Sequence, residues 1–350
     1  MSVTCRAVPD GRTMNLLGAH VDPLRIGVIG VGHLGSLHAK MLSDMPGVHL
    51  SGVFDADRER AKSVAGQYGT QAPGNIDALL DSVDAVTIAT STDAHYDVAL
   101  KALERGKHVF VEKPITETVA EAETLCSAAS GRGLLIQVGH IERFNPAILA
   151  LEKYRIDPMF VESHRLAQFN PRGTEVGVVL DLMIHDIDLI LSFVHSPVRA
   201  VEASGVAVVS DSVDIANARL QFENGCVANV TASRISQRKM RKMRLFQKSG
   251  YISIDFSEGI AEVFRLVGEN EPDVKGTMML GEIGSGKHRR KIVYELPEVK
   301  EVNALRHELQ LFASAIASGT RPVVSGEDGK RALEVANVIM EKISQQLFAM

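Results

Sequence analysis

The sequence contains little cysteine and no long apolar segment, and each absence excludes a class of protein. Its three cysteines, Cys5, Cys126 and Cys226, are odd in number and form no CxxC or Cys/His pattern, which argues against a disulfide framework or a structural metal site. No stretch reaches the roughly 18 consecutive apolar residues that a membrane span requires. Residues 1–23 also lack the apolar core of a secretion signal. We therefore expect a soluble, packed protein of the cytoplasm that binds no metal ion.

An excess of positive charge is also missing. The 350 residues include 38 Lys plus Arg against 43 Asp plus Glu, a formal net charge of −5, which argues against nucleic acid as a partner. Small molecules are the expected partners. The length indicates two domains at about 150 residues each. We place an N-terminal extension at 1–23, a first domain at 24–146 and a second domain at 147–350.

A glycine motif opens the first domain. Gly30, Gly32 and Gly35 form GxGxxG between a short apolar β-type run and a helical pattern. The glycines permit a tight turn, close approach of the backbone to a pyrophosphate and packing of helix against strand. The N-terminus of the following helix directs free N–H groups at the phosphates. The motif predicts a dinucleotide site, and a plain turn without nucleotide is the alternative.

An acidic residue follows the second apolar run, His49 to Phe54. Asp55 lies 20 residues beyond Gly35, where a carboxylate accepts hydrogen bonds from the ribose hydroxyls and repels a 2′-phosphate. The pattern therefore favours NAD over NADP. Arg58 could instead bind a phosphate, or it is a solvated residue of the next helix.

Further alternation of strand and helix follows, with strands at Ala85 to Ala89 and His108 to Val111 around a helix at Tyr96 to Arg105. This order predicts a doubly wound parallel sheet. Glu112-Lys113-Pro114 lies at the end of the later strand, where proline disfavours a helical Lys113.

The second domain begins with a different pattern. Asp181, His185 and Asp188 fall within about 60° of one another on a helix at 100° per residue, beside an apolar stripe. The two aspartates could hydrogen-bond the imidazole. The alternatives are an ordinary solvated helix face and a metal site on Asp181 and His185, for which the spacing shows no third ligand.

Alternating strands follow this helix and predict an antiparallel sheet. One hairpin turns at Asn224-Gly225, as a type I′ turn requires. A basic run from Arg234 to Arg244 is either the polar face of a strand or a surface that attracts a diphosphate. Two C-terminal helices complete the chain, the second preceded by Ser325 and Asp328 at capping-box spacing.

Taken together and in order, the glycine motif, Glu112-Lys113-Pro114, Gly139-His140 with Arg143-Phe144, and Gly177 with Asp181, His185 and Asp188 resemble the Gfo/Idh/MocA family from about Leu24 onwards. The resemblance implies an N-terminal Rossmann domain and a C-terminal α+β domain with a large, open, mainly antiparallel sheet. It also implies oxidation of a sugar or polyol hydroxyl with a nicotinamide cofactor. The motifs are most similar to the branch that oxidises UDP-N-acetylated sugars, at C3, for amino-sugar and lipid A synthesis.

The resemblance also implies residue roles. The expected catalytic residues are His185 as base or relay, Lys113 polarising the oxygen and Asp181 orienting the imidazole, although family members differ in whether the lysine or the histidine takes the proton. The expected cofactor contacts are Gly30, Gly32, His33, Leu34, Gly35, Asp55, Arg58, Thr90, His95, Glu112 and Lys113. The expected substrate contacts are Arg143, Asn145, Arg165 and His185.

Two positions depart from the family pattern. Ser91 stands where a proline is frequent, and Met183 stands where a glycine is frequent. A dehydrogenase of free polyols such as inositol, and a non-catalytic nucleotide sensor of the same fold, are the alternatives. The open sheet face predicts a homodimer or homotetramer.

Overall fold

The computed structural model describes residues 13–14, 20–170, 176–268, 277–285 and 289–348. The chain divides into two compact units, Met1–Ile141 with Leu305–Lys330, and Glu142–Ala304 with Arg331–Met350. This division corrects the prediction of two contiguous domains, 24–146 and 147–350. Leu305–Lys330 joins the first unit because its side chains complete that core, where the Phe312 ring lies 5.8 Å from the Phe110 ring.

The first unit contains a five-stranded parallel sheet in the order β4-β3-β5-β6-β7, and a two-stranded ribbon, β1-β2. Its strands are β1 (Thr13–Met14), β2 (His20–Val21), β3 (Leu24–Ile29), β4 (Val48–Phe54), β5 (Ala85–Ile88), β6 (His108–Glu112) and β7 (Ile136–Gly139). Its helices are α1 (His33–Ser43), α2 (Arg58–Tyr68), α3 (Ile76–Leu80), α4 (His95–Glu104), α5 (Val119–Ser130) and α8 (Ala304–Ser318). Residues Gly326–Lys330 begin α9 (Gly326–Phe348). The predicted doubly wound parallel sheet is confirmed.

Apolar runs without alternation explain this sheet. Ile26, Val28 and Ile29 of β3 are at most 1% exposed, and all four residues of β5 are buried. Strands buried on both faces are typical of parallel sheets covered by helices. The capping box at α9 is confirmed, because Asp328 accepts a hydrogen bond from the Ser325 N–H at 2.9 Å.

The second unit contains a nine-stranded sheet in the order β15-β16-β14-β13-β12-β8-β11-β10-β9. Only β8 and β11 pair in parallel among these described strands, so the predicted mainly antiparallel sheet is confirmed. Its strands are β8 (Phe160–Leu166), β9 (Val198–Val206), β10 (Ile215–Phe222), β11 (Val227–Ser233), β12 (Met240–Gln247), β13 (Gly250–Asp255), β14 (Ile260–Gly268), β15 (Thr277–Ile283) and β16 (Arg290–Glu295). Its helices are α6 (Pro146–Leu149), α7 (Ile184–Phe193) and the remainder of α9.

The predicted hairpin joins β10 to β11, but its turn is not type I′. A type I′ turn needs positive φ at two residues, and in this turn only Gly225 has it, at 86°. The Gly225 N–H donates to the Phe222 carbonyl at 3.0 Å. The chain therefore turns over Phe222–Gly225 with the glycine in the left-handed region at its end.

Candidate active site

A cleft of about 580 Å³ lies in the first unit at the carboxyl ends of its strands. Ligands of open α/β sheets bind at this edge. The cleft is lined by Ile29, Gly30, Gly32, Phe54, Asp55, Ala56, Arg60, Ile76, Ala89, Thr90, Ser91, Ala94 and Val98. The structure therefore brings together Gly30, Gly32, Asp55 and Thr90, as the sequence predicted.

The three glycines of the motif meet different steric demands. Gly30 has φ of 81°, and a Cβ there would lie 2.7 Å from the Ala89 carbonyl oxygen. At Gly35 a Cβ would lie 1.8 Å from the Gly30 carbonyl oxygen, so only glycine allows α1 to pack on the turn. At Gly32 a Cβ would meet no atom within 4 Å. The open space beside the Gly32 backbone fits the close approach of a pyrophosphate.

The first turn of α1 adjoins this space. Gly32 caps the helix and supplies no side-chain hydrogen bond to its first N–H groups. His33 and Leu34 are exposed in this turn. A helix N-terminus of this kind carries positive partial charge and donors for an anion.

Asp55 lies at the end of β4 with its carboxylate at the cleft. One oxygen accepts a hydrogen bond from the Val31 N–H at 2.8 Å, and the other accepts from the Asp57 N–H at 2.9 Å. These contacts tie the carboxylate to the glycine loop and leave acceptor capacity for ribose hydroxyls. The sequence placed Arg58 here, but its guanidinium donates to the Gly74 carbonyl at 3.4 Å, and Arg60 lies 3.5 Å from Asp55 instead.

Thr90, Ser91 and His95 lie beyond β5. His95 is 1% exposed, its Nδ1 lies 2.8 Å from the Pro114 carbonyl oxygen and its Nε2 lies 3.3 Å from that of Thr90. Burial lowers the pKa of His95, against the opposing effect of these two carbonyls. Both ring nitrogens face the backbone of this unit, so the placement does not support the predicted direct contact with the cofactor.

Glu112 and Lys113 follow the same strand edge, at the end of β6. Glu112 is 8% exposed and lies with a carboxylate oxygen 3.0 Å from His38 Nε2. Lys113 is half-buried, and its peptide bond to Pro114 is cis. Sequence reasoning missed His38, whose position three residues after Gly35 gives no sign of a contact 74 residues along the chain.

In the second unit, the segment with Asp181 and His185 is not a uniform α-helix. Val179–Met183 forms a π-helical turn, and α7 begins only at Ile184. The uniform rotation of 100° per residue, on which the predicted 60° arc was based, does not apply across this turn. Asp181 and His185 are both half-buried. Such π-turns occur frequently at functional sites.

Two buried carboxylates, Asp186 and Asp188, follow His185 along α7. Asp188 accepts two hydrogen bonds of 2.6 Å from the Arg143 guanidinium. Asp186 accepts from Arg165 Nε at 2.6 Å and from the Ser163 hydroxyl at 2.7 Å. The expectation that Asp188 contacts the imidazole is therefore not supported.

Glu142 extends this set of ion pairs. Its carboxylate accepts from Arg165 Nη1 at 3.2 Å and from Arg241. Asn145 caps α6 by accepting from the Ala147 N–H at 3.1 Å, and its amide nitrogen lies 3.3 Å from the Phe256 carbonyl. The predicted substrate contacts Arg143, Asn145 and Arg165 therefore all have partners within this unit.

The basic run is likewise occupied by carboxylates and carbonyls of the second unit. Lys242 pairs with Asp255 at 3.0 Å and Arg244 with Glu162 at 3.4 Å. Arg234 donates to the Val176 carbonyl at 2.6 Å. Lys242 and Arg244 are thus on the polar face of β12, whereas Arg234 is buried beyond the end of β11, and these pairings give no support to a diphosphate surface.

Comparison with known proteins agrees with this geometry. Residues 24–140 match the model of an oxidoreductase family with an NAD-binding Rossmann fold, and residues 155–259 match the C-terminal domain of the same Gfo/Idh/MocA family. The chain is also 37% identical to a UDP-N-acetylglucosamine 3-dehydrogenase of Acidithiobacillus ferrooxidans over 89% of its own length and 95% of the relative's. It belongs to the Gfo/Idh/MocA family.

Two further likenesses bear on this assignment. A crystal structure of the same Acidithiobacillus ferrooxidans enzyme matches with a TM-score of 0.82 and 35% identity, over 92% of this chain and 98% of that one. A scyllo-inositol 2-dehydrogenase of Bacillus subtilis is 32% identical over 61% of this chain and 68% of its own. The protein is an NAD-dependent dehydrogenase of the Gfo/Idh/MocA family.

The two departures from the family pattern, Ser91 and Met183, both lie among the described residues. Ser91 lines the cleft with φ of −66°, an angle that proline also adopts. Met183 ends the π-turn and is fully buried in the core of the second unit.

Within the described ranges, no group of three or more potential ligands could hold a metal ion. No helix in the same ranges is long and apolar enough to cross a membrane.

Proposed function

We propose that the enzyme oxidises the C3 hydroxyl of UDP-N-acetylglucosamine to a ketone with NAD. The likeness to the Acidithiobacillus ferrooxidans enzyme carries this proposal, because it spans both units at 37% identity. The sequence also has a lysine and a histidine at the two positions where the reaction needs polar groups, Lys113 and His185.

The residues of the cleft are suited to hold NAD. The backbone at Gly30 and Gly32 and the first turn of α1 would hold the pyrophosphate, and Asp55 would accept hydrogen bonds from the ribose hydroxyls. His33, Leu34 and Thr90 would lie beside the bound cofactor, whereas Glu112 and His95 bind groups within the first unit and would not contact it. The chemistry that bound NAD would supply here is that of a hydride acceptor for C3.

The proton of the hydroxyl requires a base. We assign this role to His185, because an imidazole has a reference pKa of about 6.5, close to neutral. Lys113 polarises the reacting oxygen with its ammonium group, and Asp181 orients His185. The products are the 3-keto nucleotide sugar, NADH and a proton.

The substrate contacts predicted at Arg143, Asn145 and Arg165 take a different role in this proposal. Arg143 and Arg165 bind Asp188 and Asp186, which flank His185, with atoms as close as 2.6 Å. These ion pairs fix α7 in register so that His185 is correctly placed. His185 is thus retained as a substrate contact, Arg143 and Arg165 are its support, and Asn145 caps α6.

Mixing the enzyme with NAD and UDP-N-acetylglucosamine tests the proposal. We expect NADH to form together with a nucleotide sugar two mass units lighter, as removal of two hydrogens requires. His185→Ala and Lys113→Ala should each lower kcat by about 10²- to 10⁴-fold. NADH formation with myo-inositol and none with the nucleotide sugar would favour the polyol dehydrogenase, and none with either would favour the sensor.

We further propose a homodimer or homotetramer. Aromatic rings of Phe246, Tyr251, Phe264 and Tyr294 form a row across four strands, with neighbouring centroids 5.0 to 5.3 Å apart. Phe246 is 37% exposed in this row, and a second copy could cover it. Sedimentation should show a mass of at least two chains, and a change of Phe246 and Tyr251 to glutamate should reduce it. A single-chain mass for the unaltered protein would contradict the proposal.

The keto product suits amino-sugar synthesis for lipid A in the cytoplasm, which we propose as its use. Lipid A isolated from cells that lack the enzyme should then carry an altered sugar, detected by mass spectrometry. Unaltered lipid A would contradict this use.

A further inference from the structure

Two buried histidines contact the segment Glu112–Pro114 from its two ends. One is on α1 and the other begins α4, so both belong to the first unit. Between the two contacts lies Lys113, just beyond the last residue of β6. The ladder of the sheet therefore ends where the lysine begins, and other groups must fix its position.

The first contact is made by His38, which is fully buried. Its Nε2 lies 3.0 Å from Glu112 Oε1, and its ring lies edge-on to Phe110 at 5.4 Å. Among the described residues His38 Nδ1 has no hydrogen-bond partner, which places the ring hydrogen on Nε2, where the carboxylate accepts it. His38 is thus a donor to Glu112.

The fit around this carboxylate is close. Strand β7 pairs Gly139 with Glu112, and a Cβ at Gly139 would lie 2.8 Å from the carboxylate. The glycine leaves room for the carboxylate, and His38 fixes its direction. Burying a carboxylate without a hydrogen-bond donor is costly in folding free energy. The pair with His38 therefore restrains the backbone of Glu112.

The second contact is made by His95. Its Nδ1 donates to the Pro114 carbonyl at 2.8 Å, and its Nε2 lies 3.3 Å from the Thr90 carbonyl. Thr90 lines the cleft. His95 therefore holds the segment on one side of Lys113 through Pro114, while its other ring nitrogen lies beside the loop that borders the cofactor cleft.

We propose that His38 and His95 are positioning residues for Lys113, holding Glu112 and Pro114 so that the ammonium group lies where the reacting oxygen binds. The proposal rests on the function proposed above for Lys113. Placement matters because a displacement of about 1 Å can lower a rate about 100-fold. The competing view is that both histidines only fill the core.

Hydrogen exchange of the protein without ligands measures the restraint directly. In His38→Phe and His95→Phe, which remove the donor and keep a planar ring, the amides within 113–118, where Pro114 has none, should exchange at least about threefold faster than in the wild type. His38→Gln and His95→Gln retain an N–H donor and should restore most of the protection. His49→Phe is the matched control, because His49 is an exposed histidine of the same unit.

Kinetics separate positioning from packing. Each Phe variant should lower kcat per folded enzyme about tenfold and change the Kd for NAD by less than about twofold, because Lys113 acts on the reacting oxygen. The Gln variants should recover kcat. If His38→Phe does not fold, Glu112→Ala removes the same contact from the strand side and should reproduce both effects.

Two results would overturn the proposal. Wild-type exchange at 113–118 in both folded Phe variants would mean that the histidines do not restrain the segment. Faster exchange with unchanged kcat would mean that the restraint does not position Lys113. The proposed function fails separately, if Lys113→Ala itself retains wild-type kcat, and the exchange experiment then still decides whether the restraint exists.

Discussion

The supports around Lys113 and around His185 differ in kind. In the first unit, His38 contacts the Glu112 carboxylate on one side of Lys113 and His95 contacts the Pro114 carbonyl on the other, so Glu112 supplies the carboxylate among these groups. In the second unit, Asp186 and Asp188 beside His185 are each paired with an arginine. A paired buried charge costs most when one partner is removed. The second support should therefore be the more sensitive to single substitutions.

The largest expected effect is at Arg165. Its side chain is 6% exposed. Arg165→Met would leave Asp186 without its guanidinium partner and would remove one of the arginines that pair with Glu142. We expect the free energy of unfolding, measured by urea denaturation, to fall by about 3 to 5 kcal/mol.

Arg244→Met is the matched control, since Arg244 pairs with Glu162 at side-chain exposures of 52% and 33%. It should lower the free energy of unfolding by about 1 kcal/mol or less. Equal losses for the two variants would contradict the distinction between the supports.

The proposed cofactor contacts belong to the first unit, and a change at Asp55 tests them. Asp55→Ala should weaken NAD binding by about 1.5 to 3 kcal/mol, roughly 10- to 150-fold, because hydrogen bonds to a charged group are lost. Affinity for NADP should fall less, as repulsion of a 2′-phosphate is removed. Calorimetric titration of both cofactors measures this, with Glu59→Ala as a control whose side chain is 83% exposed. An unchanged NAD to NADP ratio would argue against the ribose role.

A smaller effect is expected at Glu112. In Glu112→Gln the amide oxygen can still accept from His38, so the free energy of unfolding should fall by only about 1 kcal/mol. A loss as large as that of Arg165→Met in the same denaturation experiment would show that the first unit also depends on a buried ion pair.

The smallest effect concerns pH. Burial lowers the pKa of His95 in the folded protein, so below the ordinary value of 6.5 the unfolded chain binds a proton that the folded chain does not. Stability associated with His95 is therefore present above pH 6.5 and is lost as the pH falls below it. The difference in unfolding free energy between wild type and His95→Gln should shrink between pH 7.5 and 5.5, and a difference that grows would contradict the shift.

The sequence predicted those parts of this site that depend on local motifs. The glycine motif and Asp55 depend on one turn and two adjacent strands, and both lie at the cleft as expected. The pairing of Arg143 with Asp188 joins residues 45 apart, and nothing in their spacing distinguishes it from a substrate contact. For the same reason His38 and Arg60 were missed.

The fold shows the same limit. Apolar patterns predicted β3 to β6, the hairpin of β10 and β11 and the two C-terminal helices, but they could not show that Leu305–Lys330 completes the first unit after the chain has formed the second. The π-turn at Val179–Met183 was also not predicted, because the spacing of apolar residues does not distinguish a single wide turn from an α-helical one.

The most direct test of the central claim uses UDP-N-acetylglucosamine that carries deuterium at C3. With wild-type enzyme and NAD, the account predicts that the deuterium appears in the reduced cofactor and that His185→Ala transfers it at least about 100-fold more slowly. Reduced cofactor without deuterium, or transfer at the wild-type rate in His185→Ala, would contradict it.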